Sequence, residues 1–313
     1  MVLRVVVAFI LAVLVLSGGG IASAAPPYSG WSSGEAFTAV NTAELEFANG
    51  ISKDGLTFYF QRGNATTSGE DIWIVQREAT DAPWGTPQKL PATVNSTAND
   101  RAAFESPDGH WLFFASNRPG GRGGFDLMVS WRAHKHAGPP DFGWQDAVNI
   151  DTLGSPVNTP GFESGPTAFE DDSGALQLYF VSNPTGPQNN LVDIYLSVQK
   201  ADGSFGAPTR DADLSSSGFN EGRPYIRHDG LEIFFNSNRP PGPQTDANIW
   251  VSTRATTSDR WSAPETVPVV STTATEITPV LSWDARTLFY ASNRSGLNGE
   301  IFLSTRTKLH GGP

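Results

Sequence analysis

The sequence predicts an all-β fold, namely a single five-bladed β-propeller of four-stranded blades. The first observation behind this prediction is a tight turn followed by an aromatic strand, which recurs five times at intervals of about 54 to 64 residues, in the range of one propeller blade. The second is that the last repeat lacks an outer strand, while a matching segment stands at the N-terminal end. No segment after residue 25 has the helical period of an amphipathic helix.

Each repeat is organised around an acidic turn. The turn acids are Asp54, Asp108, Asp171 or Asp172, Asp229 and Asp284, and a Gly follows all but the last directly or closely. Gly after Asp supplies the positive φ of tight hairpin turns. The strands that follow are almost continuously apolar, as expected for strands buried on both faces. Next comes a third strand that begins with an acid or amide, and then an outer strand that contains an aromatic residue. These repeats place the blades near residues 46–90, 100–150, 163–214, 221–268 and 276–306.

Two tryptophans indicate how the ring closes. Trp261 stands 15 residues before Glu276, and Trp31 stands 15 residues before Glu46. Residues 31–41 are therefore predicted to supply the outer strand of the last blade. Pairing the two ends of the chain in one sheet leaves no open sheet edge.

The first 25 residues are predicted to be a secretory signal peptide. Arg4 precedes an apolar run from Val5 to Leu16, and Ala22-Ser23-Ala24 has the small residues of a cleavage site. The run is shorter than the ~20 residues of a membrane-spanning helix, and no later segment is apolar enough to span a membrane. We expect a protein that is secreted or periplasmic, without a membrane span once the signal is removed.

The charge of the chain limits its partners. The formal net charge is −11 and becomes −12 when Arg4 leaves with the signal peptide. An acidic surface argues against nucleic acid, because phosphates require patches of Lys and Arg. The chain contains no Cys, so neither disulfides nor thiol catalysis are available. We expect a monomer that offers one propeller face to a protein, peptide or glycan ligand.

An acidic residue stands eight positions before every turn acid. These five residues are Glu46, Asp100, Glu163, Glu221 and Glu276. Their position at the start of the innermost strand predicts a ring of carboxylates, hereafter the ring acids, at one mouth of the central channel. Carboxylates brought close together raise one another's pKa or recruit a cation such as Ca²⁺. The structural alternative is that each acid binds backbone N–H groups or an arginine and locks the blades together.

Arginines provide candidate partners for the ring acids. Three of them end a Ser-Asn-Arg sequence and are predicted inter-blade clamps: Arg118, Arg239 and Arg294. The first repeat has Arg62 two positions earlier, and the third has Asn183-Pro184 without an arginine, which leaves Glu163 unpaired and marks the third repeat as the place to look for a site. Arg101 and Arg223 follow their ring acids within two residues and are further candidates.

The repeat resembles that of a known family. Ser-Pro-Asp-Gly at 106–109, Ser-Asn-Arg at 116–118 and Asp-Ile-Trp at 71–73 are similar to the WD40-like propeller repeat of the TolB type. The resemblance covers the chain after the signal peptide, without the N-terminal α/β domain of TolB. It implies a propeller but no single function, since such repeats occur in binding proteins, peptidase gating domains and sugar-degrading enzymes.

Two hypotheses for function follow. The first is a secreted, non-catalytic, TolB-like scaffold, which the symmetry of the repeats and the absence of nucleophile-elbow, phosphate-loop and zinc-helix motifs favour. The alternative is a carbohydrate-active enzyme, a glycosidase or lyase that uses carboxylates at the channel mouth. An enzyme would require asymmetry, with one acid whose pKa is raised while others stay ionised.

Overall fold

The computed structural model describes residues 28–63, 69–135, 138–139, 142–185, 191–240, 247–296 and 299–309, and the predicted signal peptide lies outside them. Within these residues the chain forms twenty strands and one 3-10 helix at Ile150–Leu153. The strands are β1 (Glu35–Ala36), β2 (Leu45–Ile51), β3 (Thr57–Gly63), β4 (Glu70–Gln76), β5 (Gln88–Lys89), β6 (Asp100–Glu105), β7 (Trp111–Ser116), β8 (Asp126–Trp131), β9 (Val148–Asn149), β10 (Phe162–Glu170), β11 (Leu176–Asn183), β12 (Asp193–Val198), β13 (Thr209–Arg210), β14 (Glu221–Ile226), β15 (Glu232–Ser237), β16 (Asn248–Thr253), β17 (Glu265–Thr266), β18 (Glu276–Leu281), β19 (Thr287–Ser292) and β20 (Glu300–Thr305).

The strands form five four-stranded antiparallel sheets, which confirms the predicted five-bladed propeller. From the channel outward, blades 1 to 4 have the orders β2-β3-β4-β5, β6-β7-β8-β9, β10-β11-β12-β13 and β14-β15-β16-β17. Blade 5 has the order β18-β19-β20-β1. The innermost strand of every blade contacts the innermost strands of both neighbours, so the five blades surround one axis. The finer assignment of the repeat to the TolB type stays a prediction.

The N-terminal segment closes the ring as predicted. β1 pairs with β20, with Glu35 opposite Leu303 and Ala36 opposite Phe302. An isolated bridge between Tyr28 and Lys308 extends this contact. The strand itself is only two residues long, as are the outer strands of the other blades.

Aromatic side chains of the second strands fill the space between blades. Phe58, Tyr59 and Phe60 in β3 are consecutive and almost fully buried, because both faces of the strand pack against protein. Phe58 of blade 1 lies 4.7 Å, centroid to centroid, from Phe289 of blade 5. Burying a side chain of this size contributes about 1.5–3 kcal/mol, and its repetition around the ring holds the blades together.

The turns confirm the chemistry expected of Asp-Gly. Asp54 Oδ1 accepts hydrogen bonds from the Ser52 hydroxyl and the Leu56 N–H, and Gly55 has φ 72°. In blade 3 the turn acid is Asp171, whose Oδ1 accepts from Ser173 N–H. The last turn adopts the same left-handed conformation without a glycine, with Ala285 at φ 58°.

An arginine and a tryptophan join the third and outer strands of every blade except blade 3. The guanidinium at the end of the third strand stacks on the tryptophan that precedes the outer strand, and its Nε donates to a carbonyl of the turn. The distances to the ring centroids are 4.3 Å for Arg77–Trp84, 4.1 Å for Arg132–Trp144, 4.2 Å for Arg254–Trp261 and 4.5 Å for Arg306–Trp31. Trp31 therefore takes the place of an outer-strand tryptophan in blade 5. Blade 3 has Gln199 and Phe205 at these positions.

Candidate functional site

The central channel has two mouths with different chemistry. We call the end where the innermost strands begin the upper mouth, and the end where they run into the acidic turns the lower mouth. The ring acids stand at the upper end, since each lies at or next to the first residue of its innermost strand.

Every ring acid is fully buried and bound to the segment that precedes its own strand. The carboxylate accepts hydrogen bonds from the backbone N–H and the hydroxyl of a Thr or Ser four or five residues earlier. In the four glutamates the two bonds go to different carboxylate oxygens, and in Asp100 both go to Oδ2. The pairs are Thr42–Glu46, Ser96–Asp100, Thr159–Glu163, Ser216–Glu221 and Thr272–Glu276. The spacing of these hydroxyl residues from the acids is a sequence signal for this local structure that the sequence analysis missed.

Four of the five ring acids form an ion pair with an arginine. The N–O distances are 2.9 Å for Arg62–Glu46, 2.7 Å for Arg118–Asp100, 2.7 Å for Arg239–Glu221 and 3.0 Å for Arg294–Glu276. Each guanidinium also donates to a backbone carbonyl in the segment that arrives from the preceding blade, namely Val40, Val94, Leu214 or Val270. The arginine thus ties the acid of its own blade to the link from the blade before.

The burial and pairing of the ring acids agree with the structural alternative, in which each acid binds backbone N–H groups or an arginine. Their side chains point into the seams between blades, where the hydroxyl and guanidinium donors lie, and all five are 0% exposed. Burial raises the pKa of Glu163 and Glu221, and no other ring acid contributes to either shift. Arg101 and Arg223 do not pair with ring acids either. Arg101 follows Asp100 directly in its strand and so points to the opposite face, and the bulge in β14 turns Arg223 away from Glu221.

Glu163 is the exception in the ring, as its missing arginine predicts. Its Oε1 accepts from the hydroxyls of Ser182 and Thr159 at 2.7 and 2.6 Å, and no arginine pairs with it among the described residues. Burial raises its pKa, and the nearby carboxylate of Asp126 raises it further. Burial also raises the pKa of Asp126. Since both carboxyls are buried beneath protein, they shape the seam between blades 2 and 3 and do not face a ligand.

Glu70 and Arg101 form a partly exposed ion pair at the upper mouth. Glu70 begins β4 and is 28% exposed, and its Oε2 lies 3.4 Å from Arg101 Nη1. The Arg101 guanidinium stacks 3.7 Å from the ring centroid of Phe125, and Phe162 of blade 3 lies against the same ring and guanidinium. The sequence analysis missed Glu70, because it directly precedes the strand-opening acid Asp71.

Arg223 crosses the channel. It belongs to β14 of blade 4, and its Nη2 donates at 3.0 Å to the side-chain oxygen of Gln61 in β3 of blade 1. Blades 4 and 1 are not neighbours, so the side chain passes over the axis. The bulge in β14 holds Arg223 at φ 46°, and Gly165 of blade 3 leaves room for it, since a Cβ there would lie 3.2 Å from the Arg223 Cα. Tyr225 of the same strand is buried further along the channel, and the backbone of Ile51 in blade 1 interacts with its hydroxyl.

A cleft of about 240 Å³ opens between blades 5 and 1. Phe47, Ile277 and Ala291 supply apolar walls, and Thr275, Ser292 and Asn293 supply polar ones. Phe47 is the cross-strand partner of Gln61, so the cleft adjoins the residue that receives Arg223. An apolar wall with a few convergent polar groups is the usual lining of a small-ligand site.

The lower mouth contains a buried carboxyl of a different kind. Glu105 ends β6, and its Oε2 accepts from the hydroxyl of Tyr59 at 2.5 Å and from Arg132 at 2.7 Å. Burial raises the pKa of Glu105 to about 7, although Arg132 opposes the shift. Glu232, held by Arg306 at 2.6 Å, makes a similar link between blades 4 and 5. We therefore assign both glutamates to the joining of blades.

The described residues contain no group of three or more His, Asp or Glu side chains placed to hold a metal ion. Within the same residues, no helix has the length and apolar character needed to cross a membrane.

Comparison with known proteins identifies relatives of the fold. No family model and no curated protein matches the sequence. Among solved structures, the chain is similar to a thermostable family-43 glycoside hydrolase, with TM-score 0.58 and 13% identity over 86% of this chain and 91% of that one. It is also similar to the endo-arabinase of Bacteroides thetaiotaomicron VPI-5482, with TM-score 0.57 and 16% identity over 90% and 99%. A third is the alpha-L-arabinofuranosidase of Lactobacillus brevis, with TM-score 0.54 and 15% identity over 82% and 89%.

These comparisons correct the first hypothesis for function. The prediction of a non-catalytic scaffold is wrong on this evidence, because several solved structures that share the fold are glycoside hydrolases. At these identities the likeness is one of fold. The chemistry must therefore be argued from the upper mouth of this chain.

Proposed function

We propose that this protein is a carbohydrate-active enzyme, a glycosidase or lyase, that holds a saccharide at the upper mouth of the channel. One observation carries the proposal: Glu70, a partly exposed carboxylate, lies against the Arg101 guanidinium, which stacks on Phe125 at the upper end of the propeller. Apolar ring faces bind the C–H faces of sugars, and a carboxylate beside them is the group that glycoside cleavage requires.

Glu70 is the proposed acid or base of the reaction. A residue that moves a proton to or from a substrate must reach it within hydrogen-bond distance. The ring acids are fully buried and cannot do so, whereas Glu70 is 28% exposed. In hydrolysis, Glu70 as acid would protonate the leaving glycosidic oxygen while water adds to the anomeric carbon and releases its proton to solvent. In elimination, Glu70 as base would take the proton beside the carboxylate of a uronate, and the glycosidic oxygen would leave with a proton from water. Both reactions remain within the proposal.

The experiment measures cleavage of a panel of neutral and uronate-containing oligosaccharides by the full chain. New reducing ends detect either reaction, and ultraviolet absorbance of a new C=C bond identifies elimination. We expect Glu70→Gln to lower kcat/KM by at least about 10²-fold, the contribution of one acid–base group. Its thermal midpoint should change little, because the ion pair with Arg101 is long and partly exposed.

Glu265→Gln is the matched control, since Glu265 is an exposed carboxylate on the outer strand β17. This variant should cleave as fast as the parent. Failure of the parent to cleave any member of the panel, or full activity of Glu70→Gln, would refute the proposal.

Export belongs to the same proposal and is supported by residues 1–25. Expression in a bacterial host with secretion should yield a mature N-terminus near Ala25 or Pro26. A mature protein that retains Arg4 would contradict it. Size-exclusion chromatography with light scattering tests the expected monomer.

A further inference from the structure

Arg101 and Arg223 lie near a single partly exposed carboxylate, Glu70, so this local group of three side chains has one more positive than negative charge. Arg223 has no ion pair among the described residues, and its one side-chain hydrogen bond goes to the neutral Gln61. Arg101 has one long ion pair, to Glu70, and its buried Nε has no hydrogen-bond partner. A guanidinium offers five N–H donors, so most donors of this pair are unused.

The two guanidiniums are close enough to act on one another. Burial and the nearby charge of Arg101 together lower the pKa of Arg223 to about 9, and Glu70 only partly opposes them. Holding like charges together in a confined space costs stability unless an anion joins them. An incoming anion would restore the balance of charge and supply acceptors to the unused donors.

The backbone pays a further cost to place Arg223 here. Its left-handed φ of 46° is unfavourable for a residue with a side chain, and Gly165 of the neighbouring blade must stay without one. Ala102 and Thr278 occupy the same bulge position in blades 2 and 5, so the bulge serves the fold, whereas the arginine on it is specific to blade 4. Strained residues that the surrounding structure holds in place are frequent at ligand sites.

The surroundings favour a carboxylate on a sugar ring. Guanidinium groups bind planar carboxylates through two parallel hydrogen bonds. Phe125 supports Arg101 from behind. The cleft between blades 5 and 1 is lined by Phe47, the cross-strand partner of Gln61, and by Asn293, so apolar and polar groups lie next to the residue that receives Arg223.

We propose that Arg101 and Arg223 together bind the carboxylate of an acidic sugar, so that the substrate class of this enzyme is a uronate-containing saccharide. The inference rests on the proposed function for the presence of a saccharide at this mouth. Beyond the proposed function, the inference states that the substrate is negatively charged and that Arg101 and Arg223 select it.

Isothermal titration calorimetry of the full chain tests the inference without requiring turnover. The probes are a galacturonic acid trisaccharide, the corresponding neutral galactose trisaccharide and a sulfated galactose trisaccharide. We expect the uronate to bind at least about tenfold more tightly than the neutral sugar, since a charge-assisted contact contributes this much or more. Added salt should weaken the binding.

Variants separate the two arginines from general effects. Arg223→Gln and Arg101→Gln should each lower the affinity for the uronate at least about tenfold while leaving any affinity for the neutral sugar unchanged. Arg286→Gln, which removes an arginine from an exposed turn of blade 5, is the matched control and should bind as the parent does. The partly exposed Arg101 provides the decisive variant if Arg223→Gln does not fold.

Each outcome has a defined meaning. Equal affinity for the uronate and neutral sugars, a preference for the sulfated sugar, or unchanged uronate binding in both variants would overturn the inference. Cleavage of neutral sugars without uronate binding would refute it while the proposed enzyme stands. Uronate binding that depends on both arginines, without cleavage of any substrate, would support the inference and refute the enzyme.

Discussion

Arg223 of blade 4 and Gln61 of blade 1 are joined across the channel by a hydrogen bond of 3.0 Å. The two residues belong to blades that are not adjacent in the ring, so the contact spans the axis of the propeller. A charge held here by a neutral amide is unusual, because a buried guanidinium is normally matched by a carboxylate.

Replacement of Arg223 is expected to make the ligand-free protein more stable. Arg223→Met removes an uncompensated charge and keeps much of the volume of the side chain, which should raise the free energy of unfolding by about 1 kcal/mol. Urea unfolding of parent and variant measures this. A loss of stability of similar size would instead show that the contact with Gln61 serves the ring.

Gly165→Ala tests the packing around Arg223. A Cβ at this position would lie 3.1 Å from Arg223 Cδ and 3.2 Å from its Cα, and Gly165 has φ 62°. The matched control is Gly203→Ala, since Gly203 has φ 84° and no atom within 4 Å of the added carbon. Both variants should lose about 1 kcal/mol through backbone strain, and Gly165→Ala should lose more. Equal losses would show that Arg223 moves aside freely.

The ring acids should differ in their contribution to stability according to their partners. Glu276→Gln leaves Arg294 without its carboxylate and should cost about 2 kcal/mol. Glu163→Gln leaves no guanidinium unpaired and removes a charge whose burial is unfavourable, so its cost should be below about 1 kcal/mol. Chemical unfolding at neutral pH compares the two. Equal costs would mean that the hydroxyl and N–H donors, which both acids share, dominate.

Glu105 should make stability depend on pH. Burial raises its pKa from the ordinary 4.5 to about 7, so the folded protein holds this proton more tightly than the unfolded chain. Its contribution is therefore largest below pH 4.5 and declines as the pH rises to about 7, by about 3 kcal/mol in total. Glu105→Gln should remove this decline. Unfolding free energies at pH 5 and pH 7.5 for both proteins provide the check, and an identical pH dependence would contradict the assignment.

The fold was predictable because each blade repeats the same local chemistry. Asp108-Gly109 fixes a turn by residue type alone, and the repeated distance from Trp31 to Glu46 shows which segment completes the ring. The absence of an arginine partner for Glu163 could also be predicted, because the other repeats have an arginine near the end of the second strand and the third repeat has none.

The upper mouth was not predictable in the same way. Its charges depend on direction rather than on residue type: the ring acids turn into the seams, and a bulge that no residue pattern announces sends Arg223 across the axis. Glu70 stands one residue before Asp71, the acid that the repeat places at the start of the third strand. Only its ion pair with Arg101 in the structure shows that it takes part in the upper mouth. The proposed site is formed by contacts between different blades, whereas the sequence repeats predict only the contacts within one blade.

The pairing of β1 with β20 also means that the propeller ring can close only after β20 has been synthesised. β1 leaves the ribosome before the other strands of the ring, and β20 leaves last. The hydroxyls of Ser32 and Thr305 lie 3.3 Å apart although 273 positions separate them. Pairings of such range form slowly, because the intervening chain must first be brought together. A nascent chain that stops short of β20 therefore keeps an unsealed fifth blade, with sheet edges free to pair with other chains.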